Sequence, residues 1–129
     1  MTACCAVIGS DGRLSFAGAG HPPLLIRRCD GLVEALPSRG TMMGIDPEME
    51  MNETVTTLAI GDVALLYTDG LHSLKSNDGE RFNTKAVTDA FARIDGSADL
   101  LARLIAQLAE RSDGQAFDDD LAAIALRRG

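Results

Sequence analysis

No apolar run in this chain approaches the length of a membrane span, so the sequence predicts no transmembrane helix. The first eight residues, Met1-Thr2-Ala3-Cys4-Cys5-Ala6-Val7-Ile8, carry no basic leader ahead of their apolar part and do not resemble a signal peptide. Cysteine is scarce: Cys4, Cys5 and Cys29 are an odd set without Cys-x-x-Cys spacing, which argues against a disulfide framework and a zinc site. The reading is a reducing, cytoplasmic setting. Positive charge is also short. A formal net charge of -7 excludes a general phosphate-binding surface for nucleic acid and fits poorly with an anionic membrane. Repeats, linkers and low-complexity tracts are absent.

What is present is the material of one globular core. Hydrophobic residues make up 46% and charged residues 24% of 129 residues, enough for a single domain over 1–129. The chain is organised around Val63-Ala64-Leu65-Leu66-Tyr67-Thr68, a short uncharged run between Gly61-Asp62 and Asp69-Gly70. Such a run bounded by turn signals predicts a strand buried on both faces. Earlier strands are expected at 2–8, 13–19, 24–28, 32–36 and 53–58, with Ser10-Asp11-Gly12 as a hairpin turn. Cys4 and Cys5 fall on opposite faces of the first and are expected to act as small buried hydrophobes. Met42, Met43 and Ile45, in the loop over 37–52, are expected to cover the edge of a core or a cleft.

Beyond Gly70 the pattern changes. Residues 71–78 are short and polar, with room for one helical turn. Asn83 or Thr84 can cap a helix bearing Ala86, Val87, Ala90, Phe91 and Ile94 on one face. Ser97 is expected to cap a second helix, with Asp99 in its first turn and Leu100, Leu101, Leu104, Ile105 and Leu108 as its stripe. A polar loop over 112–118 leads to a last strand over 121–126, and Arg127-Arg128-Gly129 is expected to fray. Strands and helices are segregated, which predicts an α+β fold with a mainly antiparallel sheet.

Three features can carry chemistry. Asp69 ends the buried strand, where the sheet would hold a ligand rigidly; the same Asp-Gly also serves as a plain turn. Asp118-Asp119-Asp120 precedes the last strand and reads equally as a solvated acidic turn. His21 lies in the rigid Gly20-His21-Pro22-Pro23 loop, either hydrogen-bonded to nearby backbone or at a site. If strands 63–68 and 121–126 are antiparallel neighbours, Asp69 and Asp119 meet at one edge. Two close carboxylates repel, and a divalent cation relieves that repulsion; oxygen-only ligation suits Mg²⁺ or Mn²⁺.

Taken in order, Ala19-Gly20-His21-Pro22-Pro23, Gly61-Asp62-Val63-Ala64-Leu65-Leu66-Tyr67-Thr68-Asp69-Gly70, and Asp119-Asp120-Leu121 before an apolar strand resemble the C-terminal part of the stage II sporulation protein E-like serine/threonine phosphatases. These are the bacterial branch of the metal-dependent PPM (type 2C) phosphatases. The resemblance implies an antiparallel β-sandwich flanked by helices (α-β-β-α) and a two-metal Mn²⁺ or Mg²⁺ site. It implies a metal-activated water attacking phosphoserine or phosphothreonine, on a substrate of the anti-sigma factor antagonist type. Asp69 and Asp119 resemble the family's C-terminal metal-binding aspartates, and His21 is site-adjacent. The family's N-terminal Gly-Asp-x-x-Asp-like and Gly-Asp-x-x-Gly-His-Gly-like segments do not occur in 1–129, and Ala122 stands where the family commonly has Thr. Gly61-Asp62 is no substitute, because it is the turn entering the buried strand. The implied activity therefore belongs to a parent phosphatase, and the chain alone is expected to be inactive. The alternative is a catalytically dead, phosphatase-like interaction module whose exposed strand edges pair with a second copy or with a separate N-terminal half.

Overall fold

A computed structural model of the chain describes residues 1–95, 98–112 and 119–129. Among these residues, seven strands form two antiparallel sheets. β1 (Ala3–Ile8), β2 (Arg13–Ala19) and β5 (Thr54–Thr57) make a front sheet in the order β1-β2-β5. β3 (Leu24–Arg27), β4 (Val33–Leu36), β6 (Val63–Tyr67) and β7 (Ala123–Arg127) make a central sheet in the order β4-β3-β6-β7. Two helices, α1 (Thr84–Ala92) and α2 (Leu100–Glu110), cover the far face of the central sheet.

The pleat sorts the central strands between two cores. Leu24 and Ile26 of β3 and Ala64 of β6 face the front sheet, packing with Leu14 and Phe16. Leu25, Val63, Leu65 and Tyr67 face the helices, packing with Val87, Ala90, Phe91, Ile94, Leu100, Leu104 and Leu108. β6 is thus covered on both faces, as its continuous apolar run requires. Asn83 caps α1, its side-chain oxygen accepting from the Ala86 amide at 3.0 Å. α2 starts at Leu100 with Asp99 in the cap position and no side-chain cap bond; Ser97, Gly114 and Asp118 lie outside the described residues.

Four expectations are corrected. Cys5 is exposed, because no described element covers the outer face of the front sheet; only Cys4 packs inward. Met42, Met43 and Ile45 are all exposed and cover no core edge; Met42 lies against Gly20, and Met43 bonds the Met1 backbone. The last strand starts at Ala123, because the Asp120 carbonyl and the Ala122 amide are taken up by the Thr68 hydroxyl rather than by a strand backbone. Arg128 does not fray: its amide donates to the Asp62 carbonyl at 3.0 Å, its carbonyl accepts from Gly61 at 2.8 Å, and its guanidinium donates to the Leu58 carbonyl.

Candidate metal centre

The two ends of β6 carry the acids that matter. At the entry, Asp62 is 1% exposed and fully partnered. Its carboxylate accepts from Arg28 at 2.8 Å, the Ala59 amide at 2.9 Å and the Cys29 amide at 3.0 Å. Arg28 also reaches Glu34 at 2.8 Å and the Thr57 carbonyl at 2.7 Å. Burial pushes the Asp62 carboxyl up, but Arg28 and the two amides outweigh it and hold it below the ordinary carboxylate value. Buried beneath these three donors, Asp62 holds the turn and is closed to a ligand.

At the exit, β6 pairs with β7 from Val63 opposite Arg127 to Tyr67 opposite Ala123. The pairing then continues through side chains. The Thr68 amide donates to the Ala122 carbonyl at 2.9 Å, and the Ala122 amide donates to the Thr68 hydroxyl at 3.0 Å. That hydroxyl has one proton to give, to the Asp120 carbonyl at 3.3 Å or the Ala122 carbonyl at 3.4 Å. Gly70 explains the third residue of Thr68-Asp69-Gly70. A Cβ there would lie 2.3 Å from the Asp120 carbonyl oxygen and 3.2 Å from the Leu121 Cα, so only glycine lets the two segments close. Thr68 and Gly70 lock the Asp119–Ala122 backbone onto the strand end.

Asp69 and Asp119 consequently line one cleft of about 320 Å³ with His72, Ser73, Arg81 and Phe82. No hydrogen bond or ion pair from the described residues reaches the Asp69 carboxylate. One Asp119 oxygen accepts from the Asp120 amide at 2.8 Å. Two exposed carboxylates sharing a cleft are hard oxygen donors suited to Mg²⁺ or Mn²⁺. They fit one side of a cation site; among the described residues there is no group of three or more potential ligands.

His21 is not among the residues lining this cleft. Its loop joins β2 to β3 and passes the same end of the central sheet, since Leu25 is level with Leu65. It is half-buried, with Nδ1 2.9 Å from the Pro22 carbonyl.

Among the lining residues not singled out from the sequence, His72 and Arg81 are the two that carry titratable or charged groups. Asp69–His72 form a 3₁₀ turn, in which positions three apart eclipse, so His72 stacks on the Asp69 side. Its ring meets Tyr67 edge-on at 5.7 Å. Burial lowers the His72 pKa and the Asp69 charge partly opposes that, so the ring is neutral at pH 7. The other is Arg81. The chain reverses at Ser76–Glu80, with Gly79 at φ 85°, and the Lys75–Arg81 bridge returns Arg81 to the rim as the one arginine among the described residues lining the cleft. The spacing of His72 from Asp69 was a usable signal; nothing local marks Arg81.

Two stacked antiparallel sheets with helices outside and acids at one rim define the type 2C phosphatase class of fold. The whole chain, residues 1–129, matches the family described as Stage II sporulation protein E (SpoIIE), and the protein belongs to that family. It is 30% identical over 122 residues to Protein IcfG of Synechocystis sp., covering 92% of this chain and 19% of that protein. It superposes on the crystal structure of the RsbU and RsbW domains of Rv1364c from Mycobacterium tuberculosis with a TM-score of 0.73 and 27% identity, covering 98% of this chain and 36% of that one. A third match is the Mn-presoaked phosphatase domain of the cell fate determinant SpoIIE from Bacillus subtilis. There the TM-score is 0.75 at 18% identity, over 98% of this chain and 56% of that one, a likeness of fold. The chain is a partial phosphatase domain, spanning about half of the isolated domain and about a fifth of the curated relative.

Proposed function

We propose that this chain is the C-terminal part of a cytoplasmic, metal-dependent protein phosphatase acting on phosphoserine or phosphothreonine in a regulatory protein of the anti-sigma factor antagonist type. The observation that carries the reading is the shared cleft of Asp69 and Asp119, held by Thr68 and Gly70. Family membership supports the reaction class, and the RsbU and RsbW domains of the Mycobacterium tuberculosis relative support a regulatory phosphoprotein as substrate.

In this reading Asp69 and Asp119 hold Mn²⁺ or Mg²⁺ from one side. When bound, the metal acts as a Lewis acid on the phosphoryl oxygens and makes a water nucleophilic near neutral pH. The protein's own part is to hold both carboxylates in place through the Thr68–Ala122 bonds. Arg81 supplies positive charge at the same cleft. His21, close to the rim through its loop, is a site-adjacent residue. Two carboxylates fall short of the six oxygens Mg²⁺ prefers, so the isolated chain binds weakly and does not turn over.

Mn²⁺ titration followed by water-proton relaxation tests the ligands. Binding is expected in the intact chain and lost in Asp69→Asn and in Asp119→Asn; equal binding in all three would refute the assignment. Robust Mn²⁺-dependent hydrolysis of a phosphoserine peptide by the 129-residue chain would refute the incompleteness of the site.

A second reading is favoured by open sheet edges: a phosphatase-like interaction module that pairs with a second copy or a separate N-terminal half. Light scattering on the eluting chain tests it, and a metal-indifferent monomer that accepts no partner would count against it.

A further inference from the structure

Lys75 and Arg81 stand side by side on a hairpin that reaches the rim. The Phe82 amide donates to the Leu74 carbonyl at 2.9 Å, and the Ser76 amide donates to the Glu80 carbonyl at 2.7 Å. These bonds bracket the antiparallel bridge between Lys75 and Arg81. A pair bracketed in this way has no bond of its own, and its Cα atoms approach to about 4.5 Å, the closest an antiparallel ladder allows. Side chains alternate along each arm. Leu74 and Phe82, level with each other, are 1% and 4% exposed and belong to the core beneath the helices. Lys75 and Arg81 therefore turn together to the other side, and both are exposed.

Like charges level across an antiparallel pair cost stability. A nearby acid can offset that cost, and the same hairpin carries Asp78 and Glu80. Yet neither Lys75 nor Arg81 forms an ion pair among the described residues. Arg81 also lines the cleft of Asp69 and Asp119 without pairing with either acid. One cleft of about 320 Å³ thus offers carboxylates suited to a hard cation and a guanidinium that no acid has taken. A ligand that suits both must carry several oxygens and more than one negative charge. A phosphoryl group does: it has oxygens enough to meet a metal and an arginine together. Arginine presents a fork matched to phosphate, and lysine adds a compact charge beside it.

We propose that Arg81 and Lys75 form a phosphoryl-binding pair. Arg81 takes the phosphoryl oxygens that a metal at Asp69 and Asp119 leaves free, and Lys75 supplies a second positive charge beside it. The repulsion built into the hairpin is relieved when the anion arrives. This rests on the phosphatase reading above and names the residues of this chain that seat the phosphorylated side chain of its substrate.

Titration of the 129-residue chain with inorganic phosphate in the presence of Mg²⁺, followed by amide NMR shifts, tests it. The wild type is expected to bind phosphate saturably, with shifts over residues 75–81. Arg81→Gln is expected to weaken that binding about tenfold, the loss of a charge-assisted bond, and Lys75→Gln about threefold. Mn²⁺ binding by water-proton relaxation is expected to be unchanged in both. Lys75→Gln is also expected to raise the urea midpoint in phosphate-free buffer, because it removes a like-charge pair; a lysine with a merely structural role would lower it. Arg111→Gln removes a cation that stacks on Phe82 at 5.4 Å but does not line the cleft, and it is expected to bind phosphate as the wild type does. Phosphate affinity indifferent to Arg81→Gln and Lys75→Gln, or a wild type that takes no phosphate, overturns the pair. Phosphate binding that depends on Arg81 in a chain that takes no Mn²⁺ overturns the metal reading and leaves the pair standing.

Discussion

The two ends of β6 hold the same residue in opposite states. Asp62 is buried with three donors on its carboxylate; Asp69 is exposed, with none from the described residues. An acid whose lone pairs are taken secures its own turn, and one whose lone pairs are vacant can accept a cation. The same strand thus ends in a structural anchor on one side and a ligand candidate on the other. What separates them is what the neighbouring elements supply: Arg28 and two amides at the entry, another acid at the exit.

The largest expected effect breaks the anchor. Asp62→Ala strands the buried side of Arg28 and two amides, and should cost about 4 kcal/mol in urea denaturation. Asp69→Ala should change stability by no more than about 0.5 kcal/mol while abolishing Mn²⁺ binding. If the two variants exchanged these outcomes, the distinction between the ends would be lost. Gly70→Ala comes next. The new methyl meets the Asp120 backbone, so the segments must separate, at about 2 kcal/mol. Calorimetric titration of Mn²⁺ should show weaker binding too, because Asp119 rides on that backbone.

The smallest effect is a pH dependence that differs between the ends. Asp62 has its folded pKa below the ordinary value of 3.8, so its contribution is present above about pH 4 and is lost as pH falls through the folded value. His72 is likewise lowered from 6.5, with the chain unfolded binding the proton more readily. Its contribution is full above 6.5 and falls as pH drops from there toward the folded value. Denaturation midpoints between pH 7.5 and 5 should therefore decline gently in the wild type and flatten in His72→Gln, with the Asp62-dependent loss confined to more acidic conditions.

The exit of β6 was readable because its signals are local: an unbroken apolar run, an Asp-Gly stop, and a second acidic stop before the last strand. The pairing of β6 with β7 follows from antiparallel geometry once both are strands. Where the sequence misled, long-range partners decided. Arg128 is indistinguishable from a fraying terminus until the Leu58 and Asp62 carbonyls are set in front of it. Cys5 alternates as a strand residue should, but alternation says nothing about whether a second layer covers its face. Arg81 reaches the cleft only through a reversal whose direction is set by packing, Phe82 being buried under Leu74 and the helices.

Thr68 and Ala122 meet across 54 positions of chain. As the polypeptide leaves the ribosome, Asp69 emerges long before its counterpart, and loop closure of that length carries an entropic cost of roughly 3 to 4 kcal/mol. The rim therefore cannot close until the start of the last strand has been made, by which time β3, the other neighbour of β6, is already present. A nascent chain short of that stage has a single acid at the strand end, and the two carboxylates share a cleft only on molecules whose synthesis has passed Asp119.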